Sequence, residues 1–398
     1  MPTSSVFAIL AAMSRPIRIV LAIAALLGPH SAAQAGPDET AMIRKILSDR
    51  DLARADFTDR FLNAVPLSRV IALRDTLSRE IGPVLAVSES IEGYDVTTET
   101  HSIGIKIHLD GAGRVAGLFF APPIATGISV DAALDQIRAL HGDVSFLIRQ
   151  NGTARAQQAA DRPMAVGSAF KLAVLDALNA DIARGARHWQ DVHHLQPGDK
   201  SLPSGQLQDF PDGSPLTLHS LAALMIAKSD NTATDMLLRV LGPRAPVALR
   251  TRSFFILKSD PARRAAYLAL PENDRAAYLG QMDTETLPNL AHGDTGILAP
   301  HMPGIEWYYS TTALCDLIQG VADLDLMAIN PGPTRPEDWA RVAFKGGSET
   351  GVMNLTTEVT DHAGARSCIS LTVNDTEMLN ETQITSAYAA LLAALARD

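Results

Sequence analysis

Three short clusters hold residue types able to carry out acyl transfer. In Ser168-Ala169-Phe170-Lys171 a serine and a lysine lie three apart, a spacing that makes them neighbours on one face of a helix. The run Ala169 to Leu178 is apolar on nearly every helical face, so that helix must be buried, and the lysine with it. Burial disfavours an ammonium ion, and a lysine kept neutral could accept the proton of a serine nucleophile. Gly167 sets Ser168 at a helix start, where unpaired N–H groups and the helix dipole favour an oxyanion. The structural alternative is a serine N-cap followed by a lysine whose head snorkels to water. Ser229-Asp230-Asn231 forms a polar turn between two apolar helical runs, Leu218 to Ala227 and one that begins at Thr232. A capping role would account for Asp230 or Asn231 but not for all three. Lys345-Gly346-Gly347-Ser348 follows the short strand Val342-Ala343-Phe344, and its two glycines allow close approach of backbone to a ligand. Taken alone, a strand end with a glycine turn explains it.

In this order and in these contexts the three clusters resemble the serine-x-x-lysine, serine-aspartate-asparagine and lysine-threonine-glycine elements of class A β-lactamases and penicillin-binding proteins. The similarity continues through Leu202-Pro203-Ser204-Gly205, Leu216-Thr217-Leu218, Met225-Ile226, and Thr232-Ala233 to Leu241-Gly242, and spans 129–398. The resemblance implies an exported serine acyl-hydrolase that forms an acyl-Ser168 intermediate with a β-lactam amide or a related carbonyl substrate. It implies that Lys171 takes the serine proton, Ser229 relays a proton to the leaving group, and Lys345 supplies positive charge to Ser229 and to a substrate carboxylate. Asn231 would position Lys171 or the substrate, Gly346 and Gly347 would let the substrate approach the strand, and the N–H groups of Ser168 and Ser348 would form the oxyanion hole. No metal or cofactor enters this mechanism. Two positions depart from the family pattern. Gly346 stands where a threonine or serine hydroxyl normally binds the β-lactam carboxylate, and no glutamate-x-x-leucine-asparagine match supplies a deacylating base. Glu285 and Asn289 have the spacing but not the context, Glu306 lies too close to the helix that starts near Thr311, and neither glutamate is assigned that role. A slow-deacylating penicillin-binding protein or esterase is therefore one alternative reading. A non-catalytic binder of cell-wall peptide on the same fold is another.

The elements that must position these residues fall into an α+β pattern in two parts. Over 36–125, Phe57, Phe61 and Val65, then Val70, Leu73 and Leu77, recur at helical spacing, with breaks at Pro66 and Gly82-Pro83. Strict alternation at Ile103, Ile105, Ile107 and Leu109, a turn at Asp110-Gly111-Ala112-Gly113 and a second run from Val115 to Phe120 predict a β-hairpin. This part resembles, by pattern, the small steroid-isomerase-like domain with a curved antiparallel sheet that precedes the hydrolase in some of these proteins. After Pro122-Pro123 the second part, 129–398, restarts with a helix from Val130 to Leu140 and a strand from Val144 to Arg149. Strands recur at Val342 to Lys345 and Ser367 to Val373, which predicts one antiparallel sheet built from both ends of this part, with a helical middle packed on it.

Residues 1–35 read as a secretory signal, expected to be removed, which places the protein outside the cytoplasm or in the periplasm. Arg15 and Arg18 precede a short apolar core, and Ala33-Gln34-Ala35 offers a cleavage site. The apolar run is too short for a stable membrane anchor. The 398 residues carry 34 Lys and Arg against 44 Asp and Glu, a balance that argues against nucleic acid as a partner and leaves a small or peptide-like carbonyl compound. Cys315 and Cys368 are too few for a disulfide scaffold and too poorly placed for zinc, and allow a single bridge. His193-His194 reads as a solvated pair whose side chains diverge. Trp307, Tyr308 and Tyr309 read as core filling, and the charges of 258–275 as a solvated helix face.

Overall fold

The computed structural model describes residues 37–48, 52–90, 93–284, 287 and 301–398. The expected signal segment and the pair Glu285 and Asn289 lie outside the described residues. The chain divides into two compact units, one reaching Ala133 and including Thr385–Ala394, the other comprising Leu134–Ile384 and Leu395–Asp398.

In the first unit three helices, α1 (Pro37–Ser48), α2 (Asp59–Ala64) and α3 (Leu67–Ile81), precede the strands β1 (Ala86–Ser90), β2 (Gly93–Thr97), β3 (His101–Leu109), β4 (Val115–Phe120) and β5 (Ile124–Ala125). Thr58 caps α2 by accepting the Phe61 N–H, and α3 ends at Gly82, whose φ of 74° needs a residue without Cβ. Strands β1 to β4 pair in order, all antiparallel, and β5 pairs with β3. The predicted hairpin is β3 with β4, joined through the Asp110 turn and bulged between His108 and Leu109. Helix α1 and strands β1 and β2 go beyond the sequence expectation. Ile43, Phe57, Phe61, Val70, Leu77, Val96, Ile103, Ile105 and Val115 form the core of this unit.

The second unit begins within α4 (Val130–Arg138) and continues with β6 (Asp143–Gln150), β7 (Thr153–Gln158) and β8 (Met164–Ala165). Helix α5 (Lys171–Ala183) and the strand pair β9 (Val192–His194) and β10 (Pro215–Thr217) lead to α6 (Leu218–Ala227), α7 (Asn231–Leu241), α8 (Thr251–Ser259), α9 (Pro261–Ala269) and α10 (Glu272–Gly280). The chain returns through β11 (Tyr308–Tyr309) and α11 (Thr311–Val321) to β12 (Arg341–Glu349), β13 (Val352–Thr360) and β14 (Arg366–Asn374); α12 (Glu381–Leu395), most of which is counted in the first unit, follows. The main sheet has the order β12-β13-β14-β6-β7, antiparallel throughout, so strands from both ends of the unit do share it. Its margins differ: β12 is buried along most of its length, whereas β7 is almost wholly exposed.

Helix α5 sits at the centre, with Leu172, Val174, Leu175 and Leu178 fully buried, as its largely apolar sequence requires. It packs on α6, α7 and α11, and α11 lies on the sheet. There Cys315 of α11 and Cys368 of β14 form a disulfide with a Cα–Cα distance of 5.7 Å. The charged stretch after 258 is not uniformly solvated as expected. Lys258 is buried and ion-paired, whereas Glu272 and Asp274 at the start of α10 are exposed.

Candidate active site

Ser168 lies in a single 3-10 turn, Gly167–Phe170, that runs directly into α5. Pairing of β8 with β11 and the Val166 N–H on the Trp307 carbonyl (3.0 Å) fix the chain just before it. Gly167 has φ 50°, a conformation that a side chain would strain. Lys171 follows one turn later and is fully buried, as the sequence predicted.

Its amine donates to the Ser229 carbonyl at 2.6 Å, to Asn231 Oδ1 at 2.7 Å and to Ser229 Oγ at 3.2 Å. Lys345 Nζ reaches the same Ser229 Oγ at 3.2 Å and also contacts the Gly346 carbonyl. Ser229 Oγ is thus bridged by two buried lysines. Burial pushes the Lys171 amine well below the usual lysine range, and the neighbouring Lys345 charge adds to this. Burial alone lowers Lys345 to about 7. Among the hydrogen bonds of the described residues, none joins Ser168 Oγ to Lys171.

The serine-aspartate-asparagine turn has a distinct task for each member. Ser229 takes a left-handed backbone, φ 53°, which aims both its hydroxyl and its carbonyl at Lys171. Asp230 is the N-cap of α7: one oxygen accepts from Ala233 N at 2.8 Å, the other from Gln206 N at 2.7 Å and Leu207 N at 3.0 Å. Asn231 holds Lys171 with its oxygen and donates its amide to the Leu202 carbonyl at 2.9 Å. Gly205, at φ 108°, passes so close to Asp230 that a Cβ there would lie 2.5 Å from its Cα.

Strand β12 brings the third cluster against Ser168. A Cβ on Gly347 would collide with the Val166 carbonyl and the Ser168 nitrogen and lie 2.6 Å from the Ala169 nitrogen. From the other side, a Cβ on Gly167 would be 3.3 Å from the Ser348 nitrogen. The backbone nitrogens of Ser168 and Ser348 therefore flank one point at the edge of the sheet. Ser168, Ser229, Asn231, Lys345, Gly346, Gly347 and Ser348 all line one cavity of about 740 Å³. Lys171 stands behind it, in contact through Ser229 and Asn231.

Several residues fall elsewhere. Glu306 precedes α11 by a few residues, as expected, but faces Lys258 at 3.6 Å and accepts the Met302 N–H at 3.0 Å. Lys258 also pairs with Glu349, the residue after Ser348, which lines the cavity. Burial and the adjacent Glu306 hold Glu349 far above the usual carboxylate range, against the opposing pull of Lys258. Sequence reasoning did not find this cluster, because nothing local ties a lysine at 258 to glutamates at 306 and 349. Trp307 stacks on Phe170 with ring centroids 4.1 Å apart and also lines the cavity, so it fills the core and walls the cleft at once. His193 and His194 lie on β9, the first half-buried and the second exposed. Among the described residues no group of three or more His, Cys, Asp or Glu is arranged to hold a metal ion.

With a buried serine-lysine turn facing a serine-aspartate-asparagine turn across one cavity, the comparison with known families can be stated. Residues 130–264 match the beta-lactamase enzyme family. The match includes Ser168, Lys171 and Ser229 to Asn231 and stops before Lys345; it does not reach the first unit's helices and sheet. Among solved structures, a beta-lactamase from Sphaerobacter thermophilus is 22% identical, with 67% of this chain and 94% of that one covered and a TM-score of 0.46. PBP-A is 16% identical over 67% of this chain and 95% of its own, with a TM-score of 0.46. A beta-lactamase from Xanthomonas campestris pv. campestris is 14% identical over 67% and 96%, again at 0.46. No curated protein sequence matches the chain significantly. The second unit is an antiparallel sheet with a helical subdomain, and the cavity lies where the three clusters converge.

Proposed function

We propose that the protein is a serine acyl-hydrolase that works through an acyl-Ser168 intermediate on a β-lactam amide or a related carbonyl compound. The observation that carries this reading is Ser229 Oγ held 3.2 Å from both Lys171 and Lys345, at the cavity that Ser168 lines. Ser168 Oγ attacks the carbonyl carbon, and its proton passes to the neutral amine of Lys171. The oxyanion forms between the N–H groups of Ser168 and Ser348. As the carbonyl re-forms, the bond to the leaving nitrogen or oxygen breaks, and a proton moves from Lys171 through Ser229 to that atom. Water then releases the acyl group. Asn231 keeps Lys171 in place, and Lys345 polarises Ser229.

Export through the segment 1–35 belongs to this reading, since Arg15 and Arg18, a short apolar core and Ala33-Gln34-Ala35 follow the pattern of a secretory signal. An intact-mass time course with a cephalosporin, a penicillin and an acetyl ester tests it. The expected result is one adduct per chain that is absent in Ser168→Ala and forms 10²- to 10⁴-fold more slowly in Lys171→Met, roughly the usual weight of a general base. An adduct that clears marks a hydrolase, and one that persists marks a penicillin-binding role. Unmodified protein with every compound would overturn the reading.

A further inference from the structure

One buried cluster beside the cavity has no part in the acyl transfer described above. Lys258 of α8 pairs with Glu349 at the end of β12 and faces Glu306 at 3.6 Å. One ammonium and two carboxyls thus meet inside the fold. Glu306 Oε1 accepts the Met302 N–H, and Glu349 Oε2 accepts from Lys258. The remaining oxygens, Glu306 Oε2 and Glu349 Oε1, are buried without a protein donor among the described residues, yet the two carboxyls stand within hydrogen-bond reach of each other. A single proton between them satisfies both oxygens and leaves one carboxylate against one ammonium. Without that proton two like charges would share one counter-ion. Burial and Glu306 accordingly push the Glu349 carboxyl up to about 9. Tyr308 of β11 also feels both acids, but burial raises its hydroxyl, so it adds no charge near that pH.

The two acids lie on the segments that carry the two oxyanion donors. Glu349 follows Ser348 directly and makes the last register pair of β12, with Val352. Strand β12 is a margin of the sheet, so it is paired on one side only. Glu306 precedes Trp307, whose carbonyl takes the Val166 N–H at 3.0 Å, and β11 then pairs with β8 just ahead of Gly167 and Ser168. The carboxyl pair therefore joins the Ser348 arm to the Ser168 arm, and Lys258 fastens it to α8.

We infer that Glu306 and Glu349, braced by Lys258, are positioning residues that set the separation of the Ser168 and Ser348 N–H groups. The inference rests on the acyl-Ser168 reading. The clasp is closed while the pair keeps its proton. When hydroxide takes that proton, as pH rises through about 9, the carboxylates repel, Ser348 moves away from Ser168, and the oxyanion loses a donor. Glu306→Gln separates the contact from the proton. Its amide oxygen keeps the Met302 N–H, its NH₂ donates to Glu349 in place of the shared proton, and Glu349, ionised against Lys258, no longer titrates there.

Wild type, Glu306→Gln and Glu306→Ala test this on the full chain from below pH 7 to above pH 9, which covers the titrations of Lys345 and of the pair. Intact mass reads the rate of acyl-Ser168 formation with benzylpenicillin and with phenyl acetate at several concentrations, beside Ser168→Ala and over the range where circular dichroism shows each chain folded. In wild type the saturating rate is expected to fall about tenfold or more as pH rises through about 9. The half-saturating concentration should hardly change, since the oxyanion exists only in the transition state. Glu306→Ala should show the low rate already at pH 7, and Glu306→Gln should restore it and hold it above pH 9. Infrared difference spectra follow the proton without any reaction: a protonated-carboxyl stretch present in wild type at pH 7 should be missing from Glu306→Gln. A wild-type rate with no fall near 9, a fall that Glu306→Gln retains, or a change confined to half-saturation overturns the inference and leaves the serine reading intact. Identical carboxyl bands in wild type and Glu306→Gln overturn it without reference to catalysis. If Glu306→Ala does not fold, the wild-type and Glu306→Gln profiles decide. Absence of any Ser168-dependent adduct removes the inference together with the serine reading.

Discussion

At the scale of single residues, the site depends on two buried lysine amines that meet at Ser229 Oγ. Lys345 titrates near 7 when folded, against about 10.4 in an unfolded chain. Between those values the unfolded chain binds the extra proton, so stability rises with pH from about 7 to about 10 and is lost as pH falls through 7. The difference is on the order of 4 kcal/mol. Thermal unfolding across this range should show wild type gaining on Lys345→Met, whose own profile is flatter; parallel profiles would contradict the burial argument. The motif lysines and serines were legible in the sequence because their spacing is local. Lys258 was not, because its burial is imposed by Glu306 and Glu349, which reach it only once β12 and the chain before α11 have folded. Phe344 was read as part of a strand, and the close approach of Gly332, twelve residues earlier in the chain, to its ring has no local signal.

At the scale of elements, the start of α7 is the most tightly determined junction. Asp230 accepts three backbone N–H groups and anchors the loop around Gly205. Asp230→Ala leaves those donors unpaired and should cost roughly 3 kcal/mol in denaturant unfolding. Gly205→Ala should cost at least about 2 kcal/mol, since it adds a Cβ both at positive φ and against Asp230. Destabilisation below about 0.5 kcal/mol in either variant would show that the loop adapts. The Cys315–Cys368 bridge closes a loop with a sequence separation of 53, which corresponds to about 4 kcal/mol in the chain-entropy picture. Cys315→Ala/Cys368→Ala should lower the unfolding free energy by about that amount, with no change in the adduct at Ser168. The sequence allowed this bridge without requiring it, because the pairing follows from α11 lying on the sheet. Helix α5 and the hairpin β3–β4 were legible from apolar content and alternation. Strand β13 was not, because it is buried along nearly its whole length and carries Asn354, Thr356, Thr357 and Glu358 inside, which breaks the two-residue alternation. Asn354 and Thr356 are satisfied by each other and by Thr372 and Ser370 of β14, a long-range solution no local pattern encodes.

At the scale of the whole molecule, two cores have no residue in common, one around Ile103 and Phe61, the other around α5. Calorimetry should therefore resolve two transitions, and reduction of the disulfide should move only that of the second unit. A single transition shifted as a whole by reduction would show that the units unfold together. The main sheet also has to live with its two margins. Strand β7 is short, exposed and polar, with Arg155 paired to Asp398 at 2.7 Å. Strand β12 is longer and more apolar, and the turn that carries Ser168 lies against it at Gly347. Because a Cβ points out of the plane of a sheet, that contact packs the turn on the face of β12 and ties its shape to the strand beneath it. A descendant that no longer reacts with anything would still need this packing to fold, so an intact-looking turn and an active enzyme can part company in evolution.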